Sequence, residues 1–250
     1  MPALANRHGK ATGGRTVYGA SVGILMLESR FPRIPGDVGN ALTWPFPVRF
    51  KVVRGATPDR VVARQGDGLL DAFVAAGEEL VADGVDGITT SCGFLSLFQA
   101  ELAARLPVPV ATSSLMQAPL IERLLAPGKR VGIVTASAQA LTPAHLRAAG
   151  VAEDTPLIGT EGGRELSRVM VGNEAELDVA LAERDMLEAG RELVARRPEV
   201  AAVLLECTNM VPYARAVSDD LGLPVYSIYS FVSWFQAGLT PRRFPRHDEA

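Results

Sequence analysis

The chain contains two cysteines, and each follows a short aliphatic segment that is typical of a buried strand. Cys92 comes after residues 87–91 (Gly-Ile-Thr-Thr-Ser), and Cys207 comes after residues 201–206 (Ala-Ala-Val-Leu-Leu-Glu). A thiolate accepts a proton and a thiol donates one, so a pair of cysteines can supply a base and an acid. If the two face each other across a cleft, they can act on opposite faces of one substrate.

The surroundings of the two cysteines recur in the same order, which indicates an internal repeat. The pattern Gly-x-Glu-Leu-Val-Ala begins at Gly77 and again at Gly190, upstream of each cysteine. A Pro-Val pair follows each cysteine at the same distance, at Pro109 and at Pro224. Matched positions whose separation drifts slowly along the chain are typical of a duplicated domain that has accumulated small insertions.

Short aliphatic runs alternate with longer segments of helical periodicity in both halves of the chain. Strands are predicted at residues 17–27, 48–53, 87–91, 108–110, 130–135, 157–159, 201–205 and 225–228. Helices are predicted at residues 67–82, 94–106, 174–196 and 211–221, with a further helix starting at residue 142. This alternation predicts parallel sheets with helices on both faces.

The predicted fold is therefore α/β, with two pseudo-symmetric lobes that arise by duplication and an active site in the cleft between them. Lobe 1 is expected to comprise residues 16–113 plus 226–240, and lobe 2 residues 114–225. Residues 1–15 and 241–250 are expected to be flexible termini. Ligands of open α/β sheets bind beyond the carboxyl ends of the strands, which is where both cysteines stand.

Composition and charge exclude several classes of function. The net charge of −3 gives no electrostatic footprint for nucleic acid. No segment approaches the roughly 20 apolar residues of a membrane span, so neither a nucleic acid nor a membrane is expected as a partner. Two cysteines without an export signal predict a reduced, cytoplasmic protein. The three histidines lack metal-ligand spacing and no phosphate-binding glycine loop is present, so neither a metal nor a cofactor is expected.

Small hydrogen-bonding residues flank both cysteines. Ser91 precedes Cys92, and Thr208 and Asn209 follow Cys207. Each cysteine also precedes a predicted helix, whose N-terminus favours a thiolate. Hydroxyl and backbone N–H groups in these positions can stabilise a carbanion that forms next to a carboxylate.

Two motifs carry a resemblance to a known family: Thr-Ser-Cys-Gly-Phe at residues 90–94 and Glu-Cys-Thr-Asn-Met at residues 206–210. With the duplicated layout of residues 17–235, they resemble the aspartate/glutamate racemase superfamily, which also contains hydantoin racemases, maleate isomerases and arylmalonate decarboxylases. The resemblance implies cofactor-independent proton transfer on a small carboxylate or amino-acid-like substrate by a homo-oligomeric enzyme. One cysteine, as thiolate, would remove the proton next to the carboxylate, and the other would donate a proton to the opposite face.

The resemblance and the positions of residues after the strands give the candidate site. Cys92 and Cys207 are the candidate catalytic residues. The candidate substrate-binding residues are Ser91, Gly93, Thr208, Asn209, Glu28, Ser29, Arg54 and Ser113. The glycine- and proline-rich loop at residues 31–40 is a candidate cover for the cleft.

Two residues depart from the family pattern and bear on the substrate. Gly93 stands where amino-acid racemases commonly carry asparagine, and Asn209 stands where glutamate racemases carry histidine. These departures favour a hydantoin, a substituted malonate or another small carboxylate over glutamate or aspartate.

Three functions remain open at this point. The leading interpretation is a racemase or isomerase with a two-cysteine acid/base pair, because decarboxylation requires only one of the two cysteines. The first alternative is a cis–trans isomerase or decarboxylase of a small diacid that uses one cysteine. The second, of another class, is a two-lobed ligand-binding protein without catalytic activity.

Overall fold

The computed structural model describes residues 14, 18–242 and 244. The termini predicted to be flexible, residues 1–15 and 241–250, lie almost entirely outside the described residues. Within the described residues no helix is long and apolar enough to cross a membrane.

The first half of the chain forms a sheet of parallel strands. These are β1 (Val22–Leu27), β2 (Val48–Val53), β3 (Gly87–Thr90) and β4 (Val110–Ala111). Their order in the sheet is β2-β1-β3-β4. All residues of the inner strand β1 are buried, as expected for a strand that is covered on both faces.

The second half forms another parallel sheet with the equivalent order. Its strands are β5 (Arg130–Thr135), β6 (Leu157–Gly159), β7 (Val200–Leu205) and β8 (Val225–Tyr226). They are arranged as β6-β5-β7-β8. The strand that precedes each cysteine, β3 or β7, therefore occupies the same place in its own sheet. The predicted α/β fold with two duplicated parallel sheets is confirmed.

Helices connect the strands in both halves. The α-helices of the described region are α1 (Leu70–Ala82), α2 (Gln99–Arg105), α3 (Ala118–Leu124), α4 (Pro143–Ala148), α5 (Leu166–Gly172), α6 (Val179–Arg196), α7 (Ala214–Leu221) and α8 (Ile228–Leu239). The predicted helix at residues 174–196 begins only at Val179, because the Asp178 side chain caps it by accepting the N–H groups of Ala180 and Leu181.

The helix that follows each cysteine begins with a tight 3-10 segment. Residues Gly93–Phe98 form such a segment before α2, and residues Val211–Tyr213 form one before α7. In the first, the Leu95 N–H donates to the Cys92 carbonyl at 3.1 Å. A 3-10 turn is narrower than an α-helix, so it keeps the chain close to the strand end at which the cysteine stands.

The last helix, α8, returns to the first sheet although β8 belongs to the second. Ile228, Phe231 and Val232 of α8 share a buried cluster with Val22 and Ile24 of β1. This crossing back was expected from the sequence for the final segment. It packs the C-terminal helix against the first sheet and so links the two halves.

Candidate active site

Both cysteines line one small, mainly apolar pocket beyond the carboxyl ends of β3 and β7. Both cysteines are half-buried and neither forms a disulfide. The remaining lining residues are Leu27, Phe31, Pro58, Val62, Ser91, Gly93, Phe94, Ala136, Met170, Val171, Glu206 and Asn209. Residues from both halves of the chain therefore enclose the pocket, and the two thiols stand at repeat-equivalent positions in it.

Hydrogen bonds join the two cysteine segments directly. The Thr208 hydroxyl donates to the Ser91 carbonyl at 2.7 Å. The Ser91 hydroxyl in turn accepts the Leu27 N–H at 2.9 Å. Thr208 is buried and does not line the pocket. Its hydroxyl holds the two strand ends together, whereas Ser91 lines the pocket and retains a hydroxyl proton that it can donate.

The loop at residues 31–40 borders the pocket through Phe31 and contacts the second half of the chain. Phe31 forms part of the pocket wall. The Asp37 carboxylate accepts a hydrogen bond from the Asn209 side-chain amide. It also forms an ion pair with the Arg33 guanidinium at 2.8 Å. Gly36 lies directly against the Pro212 backbone. The charges of Arg33 and Asp37 therefore neutralise each other at the edge of the pocket.

The Cys92 thiol is difficult to ionise in this structure. Burial, followed by the charge of the nearby Glu206 carboxylate, raises the pKa of Cys92 to about 12. The backbone N–H groups of Phe94 and Leu95 and the Arg33 guanidinium partly oppose this increase. A proton-abstracting role for Cys92 therefore requires a change in its surroundings when substrate binds.

The Cys207 thiol is likewise difficult to ionise. Burial, and then the Glu206 carboxylate, raise the pKa of Cys207 well above its usual value, against a lowering by the Asn209 backbone N–H. The thiol donates to the Asn209 side-chain oxygen at 3.4 Å. This arrangement suits a proton donor better than a base.

A buried carboxylate beside both thiols was not among the residues singled out in the sequence. The Glu206 side chain is completely buried. One of its carboxylate oxygens accepts the Thr135 hydroxyl at 2.7 Å, and the other has no hydrogen-bond partner among the described residues. Burial raises the pKa of Glu206 to about 7. The sequence signal that could have identified Glu206 is an acidic residue at the end of an aliphatic run, directly before a cysteine.

Glu206 occupies the space next to Gly93. A Cβ atom at position 93 would overlap the Glu206 carboxylate and lie 2.6 Å from the Glu206 backbone oxygen. An asparagine at position 93 and a glutamate at position 206 are therefore incompatible with this geometry. Gly93 and Glu206 therefore form one structural feature of the pocket.

Four other candidate residues have their side chains engaged away from the pocket lining. Glu28 accepts from Arg54 at 2.7 Å and from the Gly55 N–H at 2.8 Å, so these partners lower the pKa of its carboxyl. Ser29 accepts from Arg33 at 3.0 Å. Ser113 caps a 3-10 turn by accepting the Leu115 N–H. None of these four candidates is among the residues that line the pocket.

Across residues 14, 18–242 and 244, no three histidine, cysteine or acidic side chains form a group that could hold a metal ion. The polar groups that line the pocket are the two thiols, the Ser91 hydroxyl, the Asn209 amide and the Glu206 carboxyl. Their chemistry is that of proton transfer.

The buried Glu206 carboxyl makes the stability of the fold depend on pH. Because its folded-state pKa is raised from 4.5 to about 7, the neutral form stabilises the fold below pH 4.5, and this contribution is lost as the pH rises through 7. We expect Glu206→Gln, which cannot ionise, to raise the free energy of unfolding at pH 8 by up to about 3 kcal/mol relative to wild type. Little difference is expected at pH 4.5.

Urea unfolding at the two pH values measures this effect. Glu165→Gln is the control, because Glu165 is also buried but is paired with Arg168 at 2.9 Å. At pH 8 this control should lower stability. An identical effect of Glu206→Gln at both pH values would show that its carboxyl does not titrate in this range.

Sequence comparison finds that the chain is similar to dimethylsulfoniopropionate lyases, and no family model matches it. A dimethylsulfoniopropionate lyase from Durusdinium sp. clade D is 28% identical over 238 residues, covering 92% of this chain and 78% of that protein. Dimethylsulfoniopropionate lyase 5 from Emiliania huxleyi (strain CCMP1516) is 29% identical over 233 residues, covering 88% of this chain and 45% of that protein. The chain thus spans less than half the length of the second relative.

Solved structures of several enzymes match nearly the whole chain. Allantoin racemase from Klebsiella pneumoniae has a TM-score of 0.60 at 17% identity, covering 92% of this chain and 98% of that chain. A mutant of arylmalonate decarboxylase has a TM-score of 0.60 at 16% identity, with coverages of 90% and 97%. Picrophilus torridus aspartate racemase has a TM-score of 0.54 at 12% identity, with coverages of 90% and 96%. The fold that the motifs imply is confirmed, because the chain shares the fold of these racemases and this decarboxylase.

Proposed function

We propose that this protein is a cofactor-independent enzyme that removes a proton next to the carboxylate of a small substrate and then eliminates a group from the neighbouring carbon. The observation that carries the proposal is that both thiols line one pocket together with a buried carboxyl. The lyase outcome is supported by the relatives of 28% and 29% identity, which are dimethylsulfoniopropionate lyases. Dimethylsulfoniopropionate is therefore the first substrate to test.

The elimination needs one base and no redox cofactor. A thiolate takes the proton from the carbon next to the carboxylate, and the electron pair of that C–H bond forms the carbon–carbon double bond. The bond from the neighbouring carbon to sulfur breaks, and its electron pair leaves with the sulfur. Dimethylsulfoniopropionate then yields neutral dimethyl sulfide and acrylate, and the proton passes from the thiol to solvent.

We assign Cys92 as the base and Cys207 as a proton donor or a bystander in elimination. Cys92 receives help towards ionisation from two backbone N–H groups and from Arg33, whereas the Cys207 thiol donates to Asn209. The apolar walls, which include Phe31 and Phe94, exclude water and strengthen electrostatic effects. A mechanism with free thiols fits the reduced, cytoplasmic compartment predicted from the sequence.

The second candidate is the racemase or isomerase predicted first from the sequence. It is favoured by the equivalence of the two thiols, since proton removal and return on opposite faces needs two groups. Both candidates share the first step, in which a carbanion forms next to a carboxylate or carbonyl. They differ in whether a leaving group is present on the next carbon.

One set of measurements tests the function. The purified protein is incubated in D₂O with dimethylsulfoniopropionate, and separately with hydantoins and arylmalonates. NMR detects exchange of the carbon-bound proton for deuterium, and gas chromatography measures dimethyl sulfide. Elimination predicts dimethyl sulfide and acrylate in equal amounts. Exchange into a hydantoin without cleavage of dimethylsulfoniopropionate would favour the racemase, and binding without exchange or turnover would favour a non-catalytic protein.

A further inference from the structure

The pocket contains a buried carboxyl group that no cationic side chain of the pocket lining pairs with. The Glu206 carboxylate is fully buried, and its outer oxygen has no hydrogen-bond partner among the described residues. The Arg33 guanidinium, whose charge acts on Cys92, is already paired with Asp37 at 2.8 Å. A buried carboxylate without a cation is costly, so a site that retains one gains most from a ligand of opposite charge.

The same carboxylate opposes the formation of a thiolate in the pocket. It disfavours ionisation of Cys92 and of Cys207 by simple charge repulsion. A positive charge placed in the pocket would offset Glu206 and ease the formation of a thiolate. Within the described part of the chain no unpaired cationic side chain lines the pocket, so this charge has to arrive with the substrate.

The walls of the pocket also suit a cation that carries methyl groups. Phe31 and Phe94 present aromatic rings, and Met170 and Val171 add aliphatic surface. Onium groups such as sulfonium and quaternary ammonium are bound by aromatic rings and apolar surface together with a nearby negative charge. Hydrated ammonium groups, which require hydrogen-bond acceptors, fit these walls less well.

We propose that Glu206 is the specificity-determining residue of this pocket and selects small carboxylate substrates that bear a permanent onium charge close to the reacting carbon. The proposal rests on the proposed function for the location of the substrate between the two thiols. Gly93 contributes to the same selectivity, because the absence of a side chain at position 93 leaves the space that Glu206 occupies.

A pair of ligands that differ only in charge tests the proposal. Trimethylammonioacetate and 3,3-dimethylbutanoate have the same shape and the same carboxylate. Neither carries a leaving group on a β-carbon, so binding is measured without elimination. By calorimetry, wild type is expected to bind the cationic ligand at least about tenfold more tightly than the neutral one. In Glu206→Gln the two affinities should become equal within about twofold.

Two further variants separate a charge effect from a structural one. Glu206→Asp keeps the charge and should retain most of the preference for the cationic ligand. Glu165→Gln removes a buried carboxylate outside the pocket lining and should leave the preference unchanged. A preference that survives in Glu206→Gln, or that falls equally in Glu165→Gln, overturns the proposal, as does a wild type that does not favour the cationic ligand at millimolar concentration.

The result of the binding experiment does not depend on whether the protein cleaves dimethylsulfoniopropionate. If the protein does not cleave dimethylsulfoniopropionate but its cation preference disappears in Glu206→Gln, the proposed function fails and the role of Glu206 stands. If it cleaves dimethylsulfoniopropionate with an unchanged preference in Glu206→Gln, the role of Glu206 fails and the proposed function stands.

Discussion

Replacement of Cys92 by serine is expected to lower kcat/KM for elimination by a factor on the order of 10²–10⁴, the usual contribution of a general base. Serine has nearly the same shape but does not ionise in the range where a thiol does, so the pocket is kept and the base is lost. The matched variant Cys207→Ser changes the same atom at the repeat-equivalent position. Since dimethyl sulfide leaves without needing a proton, we expect this second variant to retain elimination within about tenfold of wild type.

The comparison between the two variants distinguishes the mechanisms. Initial rates of dimethyl sulfide release give kcat/KM, and thermal unfolding confirms that both variants are folded. If both variants lose activity equally, the two thiols act as an acid/base pair, and the racemase-type mechanism is favoured instead. If neither variant loses activity, the base is another group and the assignment of Cys92 is wrong.

The duplicated fold could be predicted because it rests on patterns that are local and repeated. The aliphatic runs of β1 and β5, and the helical periodicity of α1 and α6, each specify an element without reference to the rest of the chain. Their recurrence around Cys92 and Cys207 then places both cysteines at equivalent strand ends. The short helices α3 and α5, at seven residues each, were missed because so few turns give a weak periodic signal.

The electrostatics of the site could not be predicted because they depend on contacts between distant residues. Glu206 follows a buried strand, but only the fold shows that its carboxylate lies against Gly93 and beside both thiols. Asn209 is likewise predicted to bind substrate, and only the fold shows that its side-chain amide also donates to Asp37 in the loop at residues 31–40. A sequence motif identifies the type of a side chain, and its hydrogen-bond partners are set by tertiary packing.

Gly93→Ala is expected to damage both the fold and the site, since the added methyl group would overlap the Glu206 carboxylate and lie 2.6 Å from the Glu206 backbone oxygen. Overpacking of this kind typically costs about 1–3 kcal/mol in the free energy of unfolding. Because residue 93 directly follows Cys92, the displacement also moves the thiol. A shift of about 1 Å can reduce kcat/KM on the order of a hundredfold.

Gly162→Ala is the matched control, because a Cβ at that position would have no atom within 4 Å and should leave stability and activity unchanged. The double variant Gly93→Ala/Glu206→Ala removes the overlap with the carboxylate but leaves the close approach to the backbone oxygen. Urea unfolding should therefore show partial recovery of stability relative to Gly93→Ala. Full additivity of the two substitutions would contradict the coupling, because residues in direct contact are expected to show a non-zero interaction energy in a double-mutant cycle.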